Sequence, residues 1–280
     1  RLKANLLRPE SLNLGRELAP DPLWGRPHAA DDGGTNMRVH ILGCGDAFGS
    51  GGRNQSSYLV AAGDRSFLLD CGPSALLAMK RAGLDSQRLD AILISHLHGD
   101  HFGGIPFFLI EYLYLKPRSY PLVIAGPPGT EERVRQLYAI LYGSGKTAPE
   151  FPWLDFVVLR PERRQTVAGV DVFPFRVPHQ TDDISLGLKV AYGGKQVLFS
   201  GDSMWTDLFV EHARGVDLFL CECSFLQEQP GMHMNYGVLE ENLSRLQCKK
   251  LLLVHLGEAM LARKDQLAVG VAEDGMVVEI

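Results

Sequence analysis

The chain reads as an α/β protein of four layers, an αββα sandwich of helix, sheet, sheet and helix. Three features of its 280 residues predict this. Short apolar runs of strand character fall in two successive sets, each interspersed with helical segments, and two such sheet-building halves pack face to face with helices outside. No linker divides the halves after residue 37, and 45% hydrophobic content can fill a large core. Histidines and aspartates recur just past the apolar runs, where a layered fold delivers its loops.

Strands come first. "RVHIL" (38–42), "SSYLVAA" (56–62) and "SFLLD" (66–70) are apolar runs separated by glycine and polar residues. "SALLAMKRAG" (74–83) predicts a helix, with Ser74 as its N-cap and Gly83 at its end. Strand "AILIS" (91–95) follows, then a buried helix "FFLIEYLYL" (107–115) and strand "YPLVIAG" (120–126). "GTEERVRQLYAILYG" (129–143) reads as a helix capped by Thr130, its first turn acidic as the helix dipole favours. The second half predicts strands near 154–159, 169–176, 184–191 and 195–200, then a helix. Strand "VDLFLCE" (216–222), helix "VLEENLSRL" (238–246) and strand "KLLLVHL" (250–256) complete it. No fixed-period repeat interrupts this order.

Residues 1–36 differ. Pro9, Pro20, Pro22, Pro27 and the run "AADDGGTN" show no steady period, which predicts a loosely ordered extension ahead of one domain over 37–280. A net charge of −5 lacks the basic excess of a nucleic-acid coat. No apolar run approaches the ~20 residues that span a bilayer. "RLKANLLRPESLNLG" has no apolar core of a signal peptide, so a cytoplasmic location is expected. The five cysteines (44, 71, 221, 223, 248) are odd in number and lie in or beside apolar runs, as reduced buried thiols do.

The chemistry concentrates in "ILISHLHGDHFGGIP" (92–106). Only nine histidines serve the chain, and three of them fall within six positions. Alternate residues of an extended segment point the same way, so His96 and His98 can share one metal. Gly99 permits a turn, after which Asp100 and His101 face a neighbouring position. Four more candidates stand beside strand ends or before a helix: His179, Asp202, His233 and His255. The natural assembly places His96, His98 and His179 on one ion and Asp100, His101 and His255 on a second, with Asp202 bridging. Imidazole and carboxylate donors of this kind are ordinary zinc ligands.

These segments carry a resemblance. "SHLHGDH", with "ILGCGDAFGSGGRNQSS", "LLDCG", "FSGDS", the His179 stretch and "LLLVHL", resembles the metallo-β-lactamase superfamily, and within it ribonuclease Z and related phosphodiesterases. The likeness runs from 37 to about 257. It implies two metal ions, usually zinc and sometimes manganese or iron. Arg53, Asn54 and the "HMNY" histidine point to the ribonuclease Z-like branch. Two departures stand out. Bacterial ribonuclease Z inserts a tRNA-gripping arm between the counterparts of His179 and Asp202, whereas 22 residues separate them here. The family's "HEAT"-like segment is replaced by "CECS" (221–224), which keeps Glu222.

Two cations sharing a water lower its pKa towards neutrality and neutralise a phosphoryl oxygen. Asp100 or Asp202 can orient that water or take its proton. A departing alkoxide needs a proton that no metal ligand is free to give, so His233 is the expected general acid, with Glu222 orienting its ring. Ser56, Ser57 and residues 43–52 are expected to line the pocket, and "GPPG" (126–129) to open a helix whose N-terminus faces an anion. His28, His40 and His212 are left structural. The leading reading is a dinuclear phosphodiesterase for small or cyclic phosphodiesters. Hydrolysis of a carboxylic ester, lactone, thioester or sulfate ester is the alternative, and ribonuclease Z-type RNA processing a further one. A metal-holding protein without activity is disfavoured because no ligand is missing. The expected partner is a small substrate rather than nucleic acid or membrane, with a homodimer left open.

Overall fold

Alternation of buried and exposed side chains builds the first strand, β1 (Met37–Gly43), in which Met37, Val39 and Ile41 face the core and Arg38 faces out. The structure, a computed structural model, describes residues 36–143, 149–227 and 232–280. The extension expected over 1–36 lies, apart from Asn36, outside them.

β1 pairs antiparallel with β2 (Ser57–Ala62), and β2 with β3 (Arg65–Leu69). Parallel strands β4 (Ala91–Leu93), β5 (Leu122–Gly126) and β6 (Leu154–Val158) continue the sheet. The buried triplet of β4 suits a strand covered on both faces. A second sheet begins with the antiparallel set β7 (Gln165–Val167), β8 (Val170–Arg176), β9 (Leu186–Tyr192) and β10 (Lys195–Phe199). It then turns parallel through β11 (Leu218–Glu222), β12 (Leu251–Val254) and β13 (Gly270–Val271). β14 (Val277–Glu279) returns to the first sheet beside β1.

The two sheets enclose one apolar core, to which Val39, Tyr58 and Phe67 contribute from one side and Val172, Val190 and Phe199 from the other. Full burial of each such side chain contributes about 1.5–3 kcal/mol. Helices α1 (Ala75–Arg81), α2 (Gly99–Phe102), α3 (Ile105–Ile110) and α4 (Thr130–Tyr142) cover the outer face of the first sheet, with Met79, Phe102, Phe108 and Val134 on Leu68, Ile92 and Ile124. Helices α5 (Leu208–Ala213), α6 (Tyr236–Asn242) and α7 (Glu258–Leu261) cover the second through Phe209, Leu239 and Met260. The four expected layers are present.

Several local expectations change. Ser74 does not cap α1 through its side chain, because its hydroxyl is engaged by Gln55 across the turn. The α4 cap is Gly129 at φ 90°, and Thr130 Oγ1 donates instead to Pro127 O at 2.6 Å. The predicted helix over 107–115 is buried only in its first part. It becomes a π-helical turn over Glu111–Leu115, where Tyr114 and Leu115 are exposed. Gly99 makes no special turn: it opens α2 directly after His98. All five cysteines are free, and Cys221 and Cys223 lie in the core under α5 and α6. Among the described residues no helix is long and apolar enough to cross a membrane.

Candidate metal centre

The carboxyl ends of β3, β4, β10, β11 and β12 meet at one rim, where open α/β sheets commonly present their ligands. His96 and His98 lie on the short segment after β4, and α2 carries Asp100 and His101. His179 follows β8, Asp202 follows β10 and His255 follows β12. Gly201 lets the chain reach Asp202, because its φ is +59° and a Cβ there would stand 2.6 Å from Leu186 O.

Two groups of donors converge. His98 Nδ1 is 3.1 Å from His96 Nε2 and 3.2 Å from His179 Nε2. Asp202 Oδ2 closes that group at 3.8 Å from His96 and 3.9 Å from His179. In the other group, His101 Nε2 is 3.2 Å from both Asp100 Oδ2 and Asp202 Oδ2. His255 Nε2 is 3.3 Å and 3.4 Å from the same two oxygens. A tetrahedral ion with bonds of about 2.0–2.1 Å sets its ligands roughly 3.3 Å apart. Both groups fit. A third set, Asp202, Glu222, His233 and His255, also has donor atoms within 4.8 Å, but it shares two members with the second.

The lone pairs point inward. His101 Nδ1 lies 2.6 Å from Asp70 Oδ2, so its N–H donates a hydrogen bond to that carboxylate. Its Nε2 then faces two carboxylates without hydrogen-bond geometry, and Asp202 Oδ1 is likewise buried without a partner. For the neutral ring this arrangement is repulsive, and a cation between them, or a second proton on His101, resolves it. His179 Nδ1 donates to Met232 O at 2.9 Å, which leaves Nε2 free as a ligand atom. Without a cation, burial disfavours the charged form of His101, yet Asp202 and Asp70 outweigh it and drive its pKa well up. His255 is similarly pushed up to about 9: burial opposes the charge and Asp202 and Asp100 favour it. Burial also disfavours the Asp202 charge, but His101 and His255 hold its carboxyl well below the usual range. The ensemble is organised around positive charge.

His233 stands beside this set. Its Nδ1 is hydrogen-bonded to Glu222 Oε1 and lies 3.8 Å from Asp202 Oδ2. Glu222 is fully buried and is fixed by Ser203 N at 2.7 Å and Ser224 Oγ at 2.9 Å. Burial works against the His233 charge, while the Glu222 hydrogen bond and carboxylate raise its pKa.

Asp70, Ser95 and Ser224 were not singled out in the sequence. Asp70 accepts from Ser95 N and Oγ, both at 2.8 Å, and Ser95 Oγ is 3.1 Å from His96 Nδ1. Ser224 Oγ is 2.9 Å from His255 Nδ1. The available signal is the aspartate of "LLDCG", which closes the strand run "SFLLD". Asp70 and His255 are two of the four described non-glycine residues with positive φ, at 54° and 58°, a strain that clusters at functional sites.

Other residues named from the sequence brace the segments beside the site. Ser57 Oγ donates to Asp70 O at 3.3 Å, and Ser56 O accepts from Gly72 N. Arg53 Nη1 reaches Cys44 Sγ at 3.2 Å, and Asn54 Nδ2 reaches Leu42 O at 2.9 Å. The α4 N-terminus carries Glu131 and Glu132, which disfavour an anion there.

Fold and site together define a metal-dependent hydrolase of the metallo-β-lactamase superfamily. The chain belongs to the family described as Anti-Pycsar protein Apyc1, which matches residues 37–277. It is similar to the probable metallo-hydrolase YhfI of Bacillus subtilis strain 168, at 26% identity over 226 residues, 79% of this chain and 87% of that protein. The YhfI crystal structure shares the fold with a TM-score of 0.72, at 23% identity over 88% of this chain and 100% of that one. Ribonuclease Z of Methanosarcina acetivorans is 27% identical over 300 residues, 87% of this chain and 98% of that protein. A diphosphatase of the PhnP family has a TM-score of 0.71 at 17% identity, covering 87% and 98% of the two chains. The expectation against a nucleic-acid partner gains no support here, since a relative matched along nearly its whole length is a ribonuclease Z.

Proposed function

We propose that the chain hydrolyses small or cyclic phosphodiesters. One ion would be held by His96, His98, His179 and Asp202, and the other by Asp100, His101, His255 and Asp202, with zinc suited to these donors. Bound ions supply neutralisation of the phosphoryl oxygens and a water of lowered pKa. Asp100 is the most exposed carboxylate of the set, at 13% of its side chain, and takes the proton of the attacking water. His233 donates its Nε2 proton to the departing alkoxide while Glu222 holds Nδ1.

The observation that carries this reading is the His233–Glu222 pair, a proton donor beside the donor cluster but outside both proposed ligand sets. Phosphodiesters with alkoxide leaving groups need that donor. His233→Ala should lower turnover of alkyl phosphodiesters about 10²–10⁴-fold. It should leave metal content unchanged and affect nitrophenyl esters little, because nitrophenolate departs unaided. An equal loss on both substrates removes His233 from the acid role. Lactone and thioester turnover measured beside these separates the carbonyl alternative.

A second reading, RNA processing, is favoured by the ribonuclease Z relatives. Against it, the interval 180–201 contains the β9–β10 hairpin, a short reach for gripping a folded RNA by many phosphates. Comparing kcat/KM on a precursor tRNA and a small phosphodiester across a salt series decides. A tRNA advantage of orders of magnitude with steep salt dependence would overturn the small-substrate reading.

A further inference from the structure

The second sheet has a cavity of about 260 Å³ on its helix-covered face, lined by Arg164, Phe173, Lys189, Ala191, Gln196 and His212. Strand register assembles it. Phe173 on β8 is opposite Lys189 on β9, and Ala191 on β9 is opposite Gln196 on β10. Residues two apart on a strand share a face, so all four look outward together. Helix α5 adds His212, whose ring is tilted against Phe175 at 4.2 Å and against Phe173 at 5.3 Å between centroids. Arg164 enters from the turn before β7. Phe173 and Gln196 each lie six residues before a candidate ligand, His179 and Asp202, or roughly 20 Å along the strand. The cavity is therefore separate from the metal centre.

Its chemistry is one-sided. Lys189 is half-buried in the middle of a strand, and Arg164 stands near enough to depress its pKa further, after burial. Among the described residues neither cation has an ion pair or side-chain hydrogen bond. Glu162 and Glu211 act on His212, but Glu162 accepts from Arg176 N at 3.2 Å, and neither lies within 4 Å of the two cations. His212 is 9% exposed, and its Nε2 is buried without a hydrogen-bond partner. Arg164 is exposed and water serves it, but the half-buried Lys189 ammonium beside it and the unpartnered imidazole nitrogen form a corner that a negative group would complete.

We propose that this cavity binds a small oxyanion, phosphate or the phosphate monoester of a compact organic group. Lys189 and Arg164 neutralise its head, His212 and Gln196 hydrogen-bond to it, and Phe173 with Ala191 forms the apolar wall. The site does not depend on the hydrolytic reading.

Calorimetric titration of the metal-loaded full chain with inorganic phosphate should resolve two classes of site. Phosphate at the metal centre is reported separately by inhibition of hydrolysis. Lys189→Gln should weaken the second class roughly ten- to a hundredfold, with the inhibition constant and metal content unchanged. Arg164→Gln, on an exposed turn, should weaken it in the same sense and keeps the test sound if the first variant misfolds. Repeating the titration with glycerol phosphate distinguishes the ester from the free ion, as the tighter of the two. A single class of site in the wild type, or variant isotherms that superimpose on it, overturns the proposal.

Discussion

The two halves of the candidate metal centre share Asp202 but differ in their other donors and in their surroundings. The His96, His98 and His179 half has neutral outer contacts, Ser95 Oγ and Met232 O, and His98 is exposed. The Asp100, His101 and His255 half buries both of its histidines and adds the Asp70 carboxylate behind His101. Asp202 is common to both. Donor charge and the groups that support the donors, rather than the number of ligands, separate the two halves. A second carboxylate in the proposed ligand set and a third behind it would make the buried half the stronger trap for a dication. The exposed half should exchange its ion first.

Asp202→Ala tests the shared element and should have the largest effect. Both ions are lost, and activity falls by at least about 10³-fold, because a charge-bearing member of each half disappears. Elemental analysis of the purified variant decides. Retention of two ions would end the bridging assignment.

Asp70→Asn should sharpen the difference between the halves. The amide no longer supports His101 as a metal-polarised base, so affinity of the buried half should drop about 10–100-fold while the exposed half changes little. Competition with a chromophoric chelator reads the two affinities. Equal weakening of both would show that Asp70 organises the rim as a whole. A smaller effect is expected from graded chelation of the wild type. One ion should leave before the other, and cobalt in its place should report loss of the three-histidine environment first. Simultaneous loss would erase the proposed asymmetry.

The smallest effect concerns the brace. Arg53→Ala removes contacts to Ala272 O and Cys44 Sγ. It should lower stability by about 1–2 kcal/mol, with metal content intact. Thermal unfolding of the loaded protein measures it, and loss of an ion instead would place Arg53 closer to the chemistry than its contacts indicate.

Much of this centre was readable before any fold was known. His96, His98, Asp100 and His101 are close in sequence, and His179, Asp202 and His255 each follow a recognisable strand. Asp70 was hidden for a physical reason. Its carboxylate gains meaning only when β3 lies parallel to β4 and brings it to Ser95 and His101, 25 and 31 positions away. Ser224 is hidden likewise, since parallel pairing of β11 with β12 carries it to His255. In the fold, β7, β13 and β14 have at most three residues each, too short for an alternating pattern to register. The π-helical turn over Glu111–Leu115 escaped because its apolar residues continue a helical pattern past the covered surface.

The candidate ligands come from both sheets: β4 and α2 lead on one side, β8, β10 and β12 on the other. An ion at this rim would thus add a cross-link between two layers joined mainly by apolar packing, beside the hydrogen bonds from Leu186 N to Ser95 O and from His255 N to Cys44 O. Its removal leaves that packing in place and frees one edge of it. Backbone amide exchange should then quicken first along the rim, around Leu97 and Leu256, while mid-strand amides such as those of Val60 and Val190 stay protected. The ion that serves the chemistry would also be the latch of the sandwich.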